Sequence, residues 1–141
     1  MDSDDWSYPN RIEKQVKYME KNPEISVSGG ATVVCNEKLN PIGIRHYPTE
    51  DSKIRESILR LNPIAHPASI WRKDILDKTH GYPPKLGMSE DYALTLEISQ
   101  YGKLGNIDEK LIKYRIHKKS ASNAKMSYQQ AITVYLSFKG Q

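Results

Sequence analysis

The sequence holds one cysteine, and that scarcity removes several chemistries at once. A single thiol cannot close an internal disulfide, and it cannot supply a four-cysteine zinc site. Cys35 lies in the apolar run Thr32-Val33-Val34-Cys35 and reads as a buried core thiol. A reducing compartment is compatible with it, and the expected location is cytoplasmic. Long apolar runs are also missing, since none approaches the roughly 18 residues of a membrane helix. The opening residues Met1-Asp2-Ser3-Asp4-Asp5 are acidic where a secretory leader is basic and then apolar, so no export signal is expected. There is no internal repeat and no low-complexity segment. A strong charge of one sign is lacking too: 21 Lys and Arg stand against 17 Asp and Glu, a formal net charge of +4. So mild an excess can draw nucleic acid, acidic headgroups or phosphorylated substrates, or can simply be solvated surface. Aromatic residues are not interleaved with the basic ones in a stacking pattern, so nucleic acid is not an expected partner.

What is present fits one soluble domain: 141 residues, 38% of them hydrophobic. Pro9 opens a helical pattern over 9–21, with Ile12, Val16 and Met19 on one face, and Asn22-Pro23 ends it. Residues 24–36 are rich in β-branched side chains and predict a strand, with a bend or bulge at Gly29-Gly30. Ile42 and Ile44 begin a second, short strand. A helix is expected over 51–61, capped by Thr49 or Asp51, then a short strand over 68–72 and a helical turn over 73–79. Ser89 is a good N-cap for a further helix, with Glu90 and Asp91 in its first turn, Leu94, Ile98 and Tyr101 inward and Gly102 after its end. Two strands (103–107 and 111–117) and a last helix (126–138) complete a mixed α/β layout without a regular run of parallel βαβ units.

Four constellations can carry chemistry. In Asp2-Ser3-Asp4-Asp5-Trp6, carboxylates two apart can converge on a hard cation, although such a cluster is equally a solvated acidic segment or a helix cap. In Ser89-Glu90-Asp91-Tyr92, a carboxylate in a first turn beside a glycine- and proline-rich loop suits a general base, or is plain capping. In Asn62-Pro63-Ile64-Ala65-His66-Pro67, two prolines stiffen the segment and aim His66 at a hydroxyl or phosphate, or leave it an idle loop histidine. In Tyr114-Arg115-Ile116-His117, alternation turns Arg115 and His117 one way, toward a phosphate and a metal, or marks a basic edge strand.

Taken in order along residues 1–123, these segments resemble the second half of a family 2 glycosyltransferase of the GT-A type. Asp2-Ser3-Asp4-Asp5 through Pro9-Asn10-Arg11 is similar to that family's acidic motif and the helix behind it. Asn62-Pro63-Ile64-Ala65-His66-Pro67, His80-Gly81-Tyr82 with Ser89-Glu90-Asp91-Tyr92, and Tyr114-Arg115-Ile116-His117-Lys118-Lys119-Ser120 are similar to its later motifs. The resemblance implies an α/β fold that is part of the GT-A fold, a mixed sheet with flanking helices. Residues 1–123 would form its acceptor side, and 124–141 a C-terminal helix, complete or truncated. It implies Asp91 as the catalytic base, with Glu90 orienting the acceptor. Asp4, with Asp2 and His117, would hold Mn²⁺ or Mg²⁺. Asp2, His66, Arg115 and Trp6 would contact substrate. The implied partners are a nucleotide-sugar donor and a saccharide or lipid-linked acceptor, the latter reached at the inner face of the membrane. The strands that hold the nucleotide in that family have no counterpart here, which implies homodimerisation or a separate N-terminal half. A non-catalytic basic α/β binding module is the alternative, and a metal-dependent phosphohydrolase a third reading.

Overall fold

A computed structural model of the chain describes residues 3–82 and 90–116. The expected helix over 126–138 and the N-cap at Ser89 lie outside these residues. The described elements are β1 (Trp6–Ser7), α1 (Arg11–Lys21), β2 (Ile25–Cys35), β3 (Pro41–Arg45), α2 (Asp51–Ser57), a 3₁₀ turn (His66–Ala68), β4 (Ile70–Trp71), α3 (Lys73–Leu76), α4 (Glu90–Ile98) and β5 (Lys103–Arg115). They build an α/β fold around a mixed sheet of order β1-β5-β2-β3, with β4 also paired to β2.

β2 is the spine. All eleven of its residues are buried, as a central strand covered on both faces requires. β5 runs parallel to it, while β1, β3 and β4 add antiparallel pairs. The two strands expected over 103–107 and 111–117 are one continuous β5. The polar stretch Asp108-Glu109 is accommodated as a bulge: Gly30 pairs with Ile107, but Ala31 already pairs with Lys110. Gly29 and Gly30 thus stand where a bend or bulge was expected, at the register shift between Gly30 and Ala31. They allow close packing, because a Cβ on Gly29 would sit 2.6 Å from the Asn106 side chain and one on Gly30 2.6 Å from Leu111.

On one side, Val27 and Leu104 pack with Ile54, Ile58, Ile64 and the helix α4. Every residue of α4 from Tyr92 to Ile98 is buried, so the helix has no solvent face. The expected inward Tyr101 is exposed instead, and Gly102 is no left-handed cap: it lies against Ser26, where a side chain would collide. α2 is shorter than expected. Its Asp51 does not cap it but accepts from the Leu104 N–H at 2.8 Å and from Arg55 at 2.8 Å, tying the helix to β5.

The face that α1 buries is the main correction to the hydrophobic pattern. Arg11, Gln15 and Met19 point inward, whereas Ile12 (57% exposed) and Val16 (38%) face out. The reason is a demand for donors. The Gln15 amide donates to the carbonyls of Ala68 at 2.8 Å and Ser28 at 3.3 Å, and its oxygen accepts from Arg11 at 2.9 Å. A leucine there would leave those carbonyls without their amide. Gln15→Ala is expected to lower the unfolding free energy by about 1–3 kcal/mol, while Ile12→Ser should stay within about 0.5 kcal/mol. Urea denaturation of both variants checks this, and the opposite ranking would restore Ile12 to the interior.

Candidate functional site

Asp91 enters from the first turn of α4 and meets Asn62 on the loop that follows α2. The Asn62 side chain is oriented at both ends. Its oxygen accepts from the Ile64 N–H at 3.2 Å, which turns its amide toward the Asp91 carboxylate at 3.1 Å. That loop is held from below by Asn106 of β5, which donates to the Pro63 carbonyl at 3.0 Å and to the Pro48 carbonyl at 2.7 Å. His66 sits at the start of the 3₁₀ turn, and its Nε2 is 3.1 Å from the Tyr82 hydroxyl, the two rings edge to face. Behind Asp91, Tyr92 is fully buried and donates its hydroxyl to the Ile58 carbonyl.

These residues border a cavity of about 210 Å³ whose walls include Thr32, Arg45, Tyr47, Asn62, His66, Asp91 and Tyr114. Burial pushes the Asp91 carboxyl above its ordinary range. The positive field of His66, the Tyr92 N–H and the Asn62 amide pull it back, and the adjacent Glu90 adds to the rise. Tyr82 is likewise raised, by burial first and then by Asp91 and Glu90. One oxygen of Glu90 is buried with no hydrogen-bond partner among the described residues.

The sheet register decides which other expected residues reach this cavity. Thr32 pairs with Ile112 across β2 and β5, and Val34 with Tyr114, so Thr32 and Tyr114 share the cavity face. Arg115 follows Tyr114 and turns to the reverse face. Trp6 pairs with Lys113, also on the reverse face, where the Lys113 ammonium lies 5.0 Å from its ring and Tyr8 meets it edge-on. The structure therefore does not bring Trp6 or Arg115 to Asp91. It brings Tyr114, which the strand pattern had turned away. Arg45, Tyr47 and Thr32 were missed as well. Only pairing between distant strands places them, and the sequence carries no local signal of it.

The acidic segment ends at the same strand. The Asp5 carboxylate accepts from the Arg115 N–H at 3.0 Å, one residue from cavity-lining Tyr114. Asp4, half-buried, precedes it. Asp2 and His117 lie outside the described residues, and among the described residues no group of three or more His, Cys, Asp or Glu is gathered for a metal. Asp4 and Asp5 carry the carboxylates here, hard oxygen donors of the type that Mg²⁺ and Mn²⁺ accept alongside phosphates.

A mixed α/β sheet thus carries a small cavity with a half-buried carboxylate and a histidine on its wall. The chain is similar to the O-antigen biosynthesis glycosyltransferase WbnJ of Escherichia coli, 35% identical over 139 residues that cover 96% of this chain and 54% of that protein. It is similar to the amylovoran biosynthesis glycosyltransferase AmsE of Erwinia amylovora, 34% identical over 116 residues, 82% of this chain and 43% of that one. An uncharacterized glycosyltransferase of Haemophilus influenzae is 34% identical over 158 residues, 96% and 48% of the respective chains. No protein-family profile matches the chain. The chain is related to glycosyltransferases, and it spans about half the length of the curated relatives it matches. Among the described residues no helix is long and apolar enough to cross a membrane.

The raised Asp91 gives a stability signature with a defined sign. Between the ordinary carboxyl value and the raised one, the folded chain binds more protons than the unfolded chain, so stability falls as pH rises through that window. Asp91→Asn removes the buried charge. Its melting temperature is expected to exceed that of the wild type at about pH 7 and to converge with it below about pH 4, where the carboxyl is neutral in both states. Thermal melts across that range check this, and equal melting temperatures at neutral pH would count against a buried, ionised Asp91.

Proposed function

We propose that the chain is the acceptor-side portion of a family 2, GT-A type glycosyltransferase that moves a sugar from a nucleotide-diphospho-sugar to a saccharide or lipid-linked acceptor with inversion. The relation to glycosyltransferases supports the class of reaction. The observation that carries the reading is the meeting at β5. The acidic segment binds the strand at Arg115, and the neighbouring Tyr114 lines the cavity that holds Asp91.

In this mechanism the acceptor hydroxyl enters the cavity against Asp91. Asp91 takes its proton while the oxygen attacks the anomeric carbon, and the bond from that carbon to the diphosphate breaks with its electron pair leaving on the nucleotide. A carboxylate whose proton affinity is held above its ordinary range is a stronger base than a solvated one. Asn62 fixes its orientation, and His66 offsets its charge. Asp4, with Asp2 and His117, would hold Mg²⁺ or Mn²⁺, which would supply positive charge for the departing diphosphate. Glu90 orients the acceptor beside Asp91.

The test is sugar transfer by the polypeptide that carries this chain. Asp91→Asn is expected to lower kcat by about 10²–10⁴-fold with donor binding retained. Asp4→Ala is expected to abolish metal-dependent binding of the nucleotide sugar in calorimetry. Undiminished turnover by Asp91→Asn would sink the proposal, as would release of inorganic phosphate without sugar transfer.

A further inference from the structure

Arg45 lines the cavity, and the transfer mechanism leaves its charge without a task. An exposed arginine on an edge strand is ordinarily a solvated guard against strand pairing. Three observations set this one apart. It pairs in register with Thr32, which turns it to the cavity face of the sheet. Its guanidinium lies over Tyr114, 5.6 Å from the ring centre, and so leans along the cavity wall. No hydrogen bond or ion pair ties it to another described residue.

We propose that the cavity takes a sugar bearing an oxyanion, carboxylate or phosphate, with the oxyanion on Arg45 and a hydroxyl at Asp91. The proposal rests on the reading of this cavity as the acceptor site. At about 210 Å³ the space is smaller than the roughly 300–1,000 Å³ of drug-sized pockets, and it suits a single sugar ring. Its two walls carry opposite charges, Arg45 on β3 and Asp91 on α4. An acidic sugar then has one favoured orientation. Its oxyanion is drawn to the guanidinium and repelled by the carboxylate, which leaves the ring's hydroxyls toward the base. A guanidinium also matches carboxylate and phosphate through paired, charge-assisted N–H donors, which the hydroxyls of a neutral sugar accept more weakly.

Amide spectra of the full chain, titrated separately with glucuronic acid, glucose 6-phosphate, glucose and inorganic pyrophosphate, test this. Both acidic sugars should shift the amides of Thr32, Arg45 and Tyr114, and the better of them should bind about tenfold tighter than glucose. The tighter one identifies the oxyanion. Arg45→Gln should erase the advantage without changing the affinity for glucose, and Arg45→Lys should keep part of it. Equal binding of glucose, or an advantage that survives in Arg45→Gln, overturns the proposal and leaves the acceptor reading intact. Pyrophosphate binding at Arg45 as tightly as the acidic sugars would assign the residue to the donor diphosphate and overturn it too. If no sugar perturbs the cavity, the acceptor reading falls and the proposal falls with it.

Discussion

The parallel pairing of β2 with β5 is the constraint on which the rest of the structure depends. It buries β2 along its whole length and brings Thr32 and Tyr114 onto one face. It also exports order to the loops. Leu104 on β5 holds the start of α2 through Asp51, and Asn106 holds the Pro48 and Pro63 carbonyls together. The Asn62 amide is aimed from that pinned loop, so the carboxylate of Asp91 is positioned by a strand it does not touch. Gly29 belongs to the same arrangement, because any side chain there would press on Asn106. A site supported in this way is set by rigid elements, and its loop residues have little freedom to lose on binding.

Much of the element order was legible because it rests on local rules. Asn22 ends α1, the β-branched run forms β2, and Cys35 is buried as its apolar surroundings require. Asp91 and His66, which the structure brings to one cavity, stand out in the sequence because their segments are unusual locally, with a carboxylate pair at a helix start and a histidine between prolines. Three readings failed where a distant partner decides the outcome. The apolar stripe of α1 gave way to Gln15 and Arg11, since the carbonyls of Ser28 and Ala68 need donors and a hydrophobic period cannot show that need. α4 is buried on every side, so no period distinguishes an inward face. The polar break in β5 is a bulge, because β2 continues to pair on both sides of it. The same limit hid Arg45 and Tyr47, which only the register of β2 with its neighbours brings to the cavity.

The electrostatics of the cavity follow from this placement. Asp91 is partly dehydrated by its neighbours, and its hydrogen bond from Asn62 and the nearby His66 do not fully offset that cost. Glu90 adds a second carboxylate at the same helix start, with an oxygen buried and without a hydrogen-bond partner among the described residues. A structure under selection for stability alone would replace such a group, since an amide at position 91 could still bond Asn62 and would carry no charge. A carboxylate held at such a cost beside a cavity fits the proposed role of Asp91 as a base. Its partners suit that proposed role. Asn62 orients without neutralising, His66 moderates while its ring nitrogen meets Tyr82, and the full cation, Arg45, is kept to β3. An arginine in contact with Asp91 would lower its proton affinity and remove the basicity that burial confers. The separation of Arg45 from Asp91 across the cavity keeps the carboxylate basic and leaves the guanidinium available for an incoming group of opposite charge.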